Sequence, residues 1–178
     1  MKLSVKEMCI IGLFAALIAV GAQIVIPLPG GVPMTLQVWA ILLASLVLGA
    51  KLGFMATLVY VLLGAAGVPV FAQFTGGIGI VLGATGGFIL SFPLMAIIVS
   101  IFAKKQGRVF LTIGLVTALF VNFAVGMLYF AMVTQNSLQA AFLMAVAPFL
   151  PVAGLQIIVF AVWGPNLKIL MAQAVRQG

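Results

Sequence analysis

The sequence predicts an all-α, polytopic membrane protein with six transmembrane helices, and three observations predict it. Hydrophobic residues make up 66% of the 178-residue chain and charged residues only 5%, whereas a soluble domain carries about 25% charged residues. No charge occurs from Met8 to Ala50, from Leu52 to Ala103 or from Val109 to Leu167, runs far longer than the ~20 apolar residues that span a bilayer. The basic residues fall only between those runs: Lys2 and Lys6, then Lys51, then Lys104, Lys105 and Arg108, then Lys168 and Arg176.

Met8 to about Leu28 reads as the first helix, retained because no small-residue cleavage site follows its lysines. Gly12, Ala15, Ala16, Ala19 and Ala22 give it one face of small side chains. In lipid such a face lets another helix approach closely, either within this chain or from a separate membrane subunit. Pro27 to Pro33, with three prolines and two glycines, breaks the helix and forms an uncharged loop, a plain connector or a lid over a pocket. Met34-Thr35-Leu36-Gln37 opens a second helix running to about Gly49, with Thr35 as its N-terminal cap. Gly49-Ala50-Lys51-Leu52-Gly53 is a tight turn, and a third helix covers about Phe54 to Gly64.

Val68 to Phe88 interrupts this pattern. Its glycines each cost about 0.8–1 kcal/mol in a helix interior relative to alanine, so the stretch is expected to be non-helical. Non-helical backbone at membrane depth is tolerated only where protein buries it or where it lines a cavity. It is therefore either a ligand loop, whose free N–H groups and Thr85 receive an anionic or carbonyl-bearing ligand, or a glycine-lined helix crossing or re-entrant turn. A fourth helix ends near Phe102, and the basic loop 104–108 follows. A fifth covers about Val109 to Val133, and a short amphipathic piece reaches Val146. A sixth runs from Pro148 to about Val162, where Gly164-Pro165-Asn166 is expected to end it.

With six helices and both termini in the cytoplasm, every basic residue lies on the cytoplasmic side and the three outer loops are uncharged, as the positive-inside rule requires. The +7 net charge is thus a topology signal. It is not a nucleic-acid patch, which would gather its charges on one face. Histidine is absent, Glu7 is the only acid and Cys9 the only cysteine, so the usual metal sites and general acid–base catalysis lack their residues. No phosphate-binding G-x-x-x-x-G-K-[ST] loop is present and no ionisable residue lies within the apolar runs, so active transport would draw its energy from a partner. A non-enzymatic, cofactor-free binding protein is the reading that remains. A structural membrane protein would explain the small-residue helices but not the Gly-rich outer stretch, and a channel would want a polar stripe along whole helices. Polar residues within the apolar zone are Gln23, Gln37, Gln73, Asn122, Tyr129 and Gln156. Each alone is commonly a satisfied interhelical hydrogen bond, but several together make a pocket.

Val68-Pro69-Val70-Phe71-Ala72, Gly76-Gly77 and Gly83-Ala84-Thr85-Gly86-Gly87-Phe88 resemble the signature of the BioY family. Val32-Pro33-Met34-Thr35-Leu36-Gln37, Leu48-Gly49-Ala50-Lys51-Leu52-Gly53 and Pro148-Phe149-Leu150-Pro151 resemble further segments of it, so the likeness spans essentially the whole chain. The resemblance implies one S-component domain, residues 1–178, of an energy-coupling factor transporter in the prokaryotic cytoplasmic membrane. It also implies an outward-facing biotin pocket, a transmembrane T subunit and two cytoplasmic ATPase subunits, with transport by toppling of the S component in the membrane. Thr35, Gln37, Gln73, Phe74, Gly76, Gly77, Gly79, Thr85, Gly86, Gly87, Tyr129 and Gln156 are the expected ligand-binding residues, and Ala15 and Ala19 the expected docking pair. The chain departs from the family pattern at Ala50 and Ala84, where the family has proline, and at Phe88, where it has tyrosine. Ala153 and Gln156 stand where it has aspartate and lysine. Loss of those two charges implies weaker biotin binding or a related, less charged ligand.

Overall fold

A computed structural model describes residues 3–28, 31–105 and 107–177, with side chains as far as residue 167. Pro29, Gly30 and Gln106 of the predicted loops, Lys2, and the side chains of Lys168 and Arg176 lie outside the described residues. Helix α1 (Val5–Gln23) opens with a reciprocal cap: Ser4 Oγ accepts from the Glu7 N–H at 3.1 Å, and the Ser4 N–H donates to Glu7 Oε2 at 2.8 Å. The helix ends at Gln23, five residues before the expected end. Val25–Ile26 (β1) instead pairs antiparallel with Met34–Thr35 (β2), Val25 opposite Thr35. Thr35 is therefore in a strand and does not cap a helix, though its Oγ1 still accepts from the Gln37 N–H at 3.3 Å. The physical reason is that β-branched Val25, Ile26 and Thr35 favour a pleated pair on either side of the Pro-rich bend.

Helix α2 (Gln37–Ala65) consists of two arms that turn back on each other at Gly49, whose φ of 73° and ψ of −178° are non-helical. A side chain at that φ would be strained. The reversal is plain from the contacts: Gly53 lies against the backbone of Ala44 and Ser45, and Gln37 Nε2 donates to Tyr60 Oη at 2.8 Å. Along a straight helix, residues 23 positions apart would be roughly 35 Å apart. The expected turn is therefore present, but it takes one residue and not five. Lys51 beside it reaches Glu7 at 3.4 Å, so the start of α1 and this turn share one end of the molecule.

After Ala65 come a 3-10 turn (Ala72–Phe74) and the one-turn helix α3 (Ile78–Val81), and then α4 (Gly86–Lys104), α5 (Arg108–Thr134), α6 (Leu138–Ala145) and α7 (Leu150–Gln177). The expected break at Gly164-Pro165-Asn166 does not occur, and α7 carries Pro165 in its interior. Proline removes one N–H, a loss that packing offsets here: Gly164 is buried, with Leu111 of α5 and Leu46 of α2 at contact distance.

The burial pattern is that of a multi-pass membrane protein. Large apolar side chains such as Phe120 (70% exposed), Leu13 and Trp163 face outward, while Ser45, Ser91, Ser100, Thr57 and Asn122 are buried. The buried hydroxyls are bonded to helix carbonyls, among them Ser100 Oγ to Ser45 O at 2.7 Å and Thr57 Oγ1 to Gly53 O at 3.0 Å. Among the described residues, five helical stretches are long and apolar enough to cross a membrane: Val5–Gln23, Gln37–Ala65, Gly86–Lys104, Arg108–Thr134 and Leu138–Leu167. The main core joins Ile18, Ile41, Tyr60, Phe71, Met95 and Leu115 from α1, both arms of α2, the Gly-rich segment, α4 and α5.

Candidate ligand-binding site

A cavity of about 350 Å³ lies where the start of α2, the Gly-rich segment and the near ends of α4, α5 and α7 converge. That volume falls within the roughly 300–1,000 Å³ usual for small-molecule sites. Phe71, Phe88, Phe92, Phe123 and Phe149 supply aromatic wall. Phe71 is held by its ring lying over Gly64 and edge-on to Tyr60, with centroids 5.6 Å apart.

The Gly-rich segment is shaped by two glutamines. Gln37 donates to Tyr60 Oη, which in turn donates to the Val70 carbonyl at 3.1 Å. Gln23, at the end of α1, donates to the carbonyls of Phe71 (3.1 Å) and Val70 (3.3 Å) and accepts from the Phe74 N–H at 2.8 Å. Between those contacts Gln73 (φ 59°) and Phe74 (φ 54°) occupy the left-handed region, where a non-glycine residue costs roughly 1–2 kcal/mol. Phe71, Ala72, Gln73 and Thr75 of this clamped turn face the cavity.

Of the expected ligand residues, Thr35, Gln37, Gln73, Gly79, Thr85 and Gln156 line the cavity, and Phe74, Gly76, Gly77, Gly86, Gly87 and Tyr129 do not. Phe74 is 72% exposed. A Cβ at Gly76 would meet the Val68 carbonyl, and one at Gly86 or Gly87 would meet Val81 or Tyr129, whose Oη donates to Val81 O at 3.3 Å. These residues shape the segment by close approach. Several N–H groups of the segment are committed: those of Phe71, Gly77, Ile80, Gly83 and Gly86 donate to backbone carbonyls, Gly77 to Gly64 at 2.7 Å. Backbone at membrane depth must satisfy itself within the protein, and these N–H groups do so.

Side-chain amides also line the cavity. Gln156 is 4% exposed, lines the cavity and has no hydrogen-bond partner among the described residues. Asn122 donates to Ser91 Oγ at 2.7 Å and to Phe88 O at 3.1 Å, which leaves its carbonyl oxygen for the cavity. Gln37 likewise spends its NH2 on Tyr60 and keeps its oxygen. Among the described residues, no charged side chain lines the space. Asn122 is a lining residue absent from the expected ligand set; the signal for it was a lone amide in the apolar run of the fifth helix.

The sequence profile of the BioY family matches residues 1–173. The chain belongs to the BioY family. Its relatives include the probable biotin transporter BioY of Pyrococcus horikoshii, 43% identical over 145 residues, which cover 82% of this chain and 85% of that protein. The biotin transporter BioY of Thermotoga maritima is 52% identical over 95 residues, 53% of this chain and 56% of the relative. The crystal structure of the S-component for biotin from an ECF-type ABC transporter superposes with a TM-score of 0.82 over 92% of this chain and 91% of that one. At 22% identity that likeness concerns the fold.

The departures from the BioY pattern separate on the structure. Ala84, Phe88 and Gln156 line the cavity, whereas Ala153 is buried in the main core. Of the expected docking pair, Ala15 is 3% exposed and packed in the same core, and Ala19 is partly buried against it. Of the rest of the small face of α1, Ala22 is buried, whereas Gly12 and Ala16 are exposed.

Proposed function

We propose that this chain captures biotin, or a close relative of it, in the 350 Å³ cavity as the substrate-binding component of an ECF transporter in a prokaryotic cytoplasmic membrane. In this reading residues 1–178 form one domain that crosses the membrane six times, counting the two arms of α2 separately, with both termini inside. A transmembrane T subunit and two ATPase subunits supply the energy, since no nucleotide-binding motif occurs in the chain.

The observation that carries the reading is the set of amides in an aromatic-walled cavity: Asn122 and Gln37 present acceptors, and Gln156 a donor and an acceptor. The cyclic urea of biotin offers two N–H donors and one carbonyl. A buried site whose polar groups match those of its ligand discriminates strongly, because a poor match leaves them unpaired. The names of the relatives support the same ligand.

The test is mass spectrometry of small molecules released from the purified protein, with calorimetric titration of biotin. Recovery of biotin in near-stoichiometric amount is expected; no biotin in the extract and no heat on titration would refute the reading. The absence of a cation in the cavity favours a second form of it, in which the ligand's tail is neutral. A carboxylate there would be desolvated without a counter-charge, at real cost. Biotin methyl ester or amide binding at least as tightly as biotin would support that form.

A further inference from the structure

A second cavity, of about 260 Å³, lies at the other end of α4, α5 and α7. Fifteen helical residues from Ile89 to Lys104 put it roughly 22 Å from the ligand cavity. Lys104, Lys105 and Arg108 line it and are exposed, and beneath them Leu46, Leu111 and Gly164 are buried. A Cβ on Gly164 would lie 3.0 Å from Leu111 and 3.3 Å from Leu46, so its missing side chain keeps the apolar slot open.

Among the described residues the three cations have no acidic partner. Glu7, the chain's one acidic side chain, is engaged by Lys51. Lys105 leans over the Phe110 ring, its Nζ 5.1 Å from the centroid. The 27-residue α5 begins here after Gly107 without a side-chain cap, so its positive end adds to the same field. Next to this mouth, Val109, Ile113, Val116 and Phe120 form an exposed apolar stripe down α5. Positive charge above a buried apolar slot and beside a lipid-facing stripe is complementary to a phosphate that carries hydrocarbon.

We propose that this cavity holds an anionic phospholipid of the cytoplasmic leaflet. The phosphate sits among Lys104, Lys105 and Arg108, the glycerol region over Leu46, Leu111 and Gly164, and the acyl chains along the α5 stripe. Basic pockets between helices on that side of a membrane recognise such headgroups. A free phosphate would use the cations alone and leave the slot and the stripe unused.

The test is native mass spectrometry of the full chain ejected from nanodiscs of equal phosphatidylcholine and phosphatidylglycerol. About tenfold enrichment of the phosphatidylglycerol adduct is expected. It should vanish in Lys104→Gln/Lys105→Gln/Arg108→Gln and weaken in Gly164→Ala, and it should survive both the charge-conserving Lys104→Arg/Lys105→Arg/Arg108→Lys and the distant Lys6→Gln. Three results would overturn the proposal: equal enrichment in every variant, which means diffuse attraction; full competition by free glycerol phosphate, which means a soluble-phosphate site; and unchanged lipid retention with loss of ATPase-subunit binding in the glutamine variant, which means an acidic protein surface is the occupant. None of these outcomes depends on whether biotin binds.

Discussion

Replacing Gln23 by alanine tests how the cavity wall is held. Gln23 does not line the cavity; it acts on it through the 71–75 turn. The substitution removes the donor to Phe71 O (3.1 Å) and the acceptor for Phe74 N–H (2.8 Å). Val70 O keeps Tyr60 Oη at 3.1 Å, so two bonds are effectively lost. At about 0.5–1.5 kcal/mol each they contribute about 1–3 kcal/mol, comparable to the cost of holding Gln73 and Phe74 in the left-handed region. Without the clamp the turn relaxes, and a ligand must first restore it. Affinity is expected to fall about five- to thirty-fold, as 1–2 kcal/mol implies. Calorimetric titration of biotin measures this, and hydrogen exchange over residues 70–75 should rise in the ligand-free variant. Gln23→Glu keeps the acceptor but loses the donor, so it should fall between alanine and wild type. Increased exchange with affinity unchanged within about twofold would refute the coupling of the turn to the site.

Gln156→Lys places an ammonium in the cavity while leaving Ala153 in the core, and should strengthen biotin binding by about tenfold or more if a bare carboxylate is the weak point; titration against the wild type decides, and weaker binding would show that the tail lies elsewhere. Gln156→Leu keeps the volume but removes the amide, and should cost about 1–3 kcal/mol of binding with little change in thermal unfolding. Among the described residues no titratable side chain lines the cavity, so affinity should be flat from neutral to alkaline pH. Only the ligand's own carboxyl titrates, near the ordinary carboxylate range of about 4; as its neutral form is favoured by an uncharged site, affinity should rise as the pH falls through that range, and a fall would point to a cation at the site. Gly49→Ala forces a side chain to φ 73°, ψ −178°, a region essentially reserved for glycine, and should destabilise the hairpin of α2 by about 1–3 kcal/mol, seen as a lower melting temperature in detergent.

Glycines and lone amides show how far single residues could be read. Gly49 could be recognised as a turn because Gly-Ala-Lys-Leu-Gly punctuates an apolar run, but the one-residue reversal depends on Gly53 fitting against Ala44 and Ser45. Gly86 and Gly87 could be recognised as special without revealing their purpose. Glycine marks close approach as well as exposed backbone, and only the position of Tyr129 distinguishes the two. Pro165 misled for the opposite reason. Its local rule ends helices, whereas the contacts of Gly164 with Leu46 and Leu111 carry α7 past it. Ala15 likewise obeys a packing rule that does not name its partner, and here it packs in this chain's own core.

The sequence by itself determined that the chain is helical, polytopic and built around a Gly-rich interruption, because bilayer thickness, charge placement and glycine's helix cost act on local stretches. Only the tertiary structure decided which polar groups are free to recognise a ligand. Gln23, Gln37, Asn122 and Gln156 are alike as residues. Whether an amide is spent depends on what stands opposite it: Ala19, Val70, Phe71 and Phe74 consume Gln23, Tyr60 takes half of Gln37, and none of the described residues takes Gln156. Pairing across the bundle is a long-range property, and among the described residues it leaves an uncharged cavity with side-chain amides in its wall.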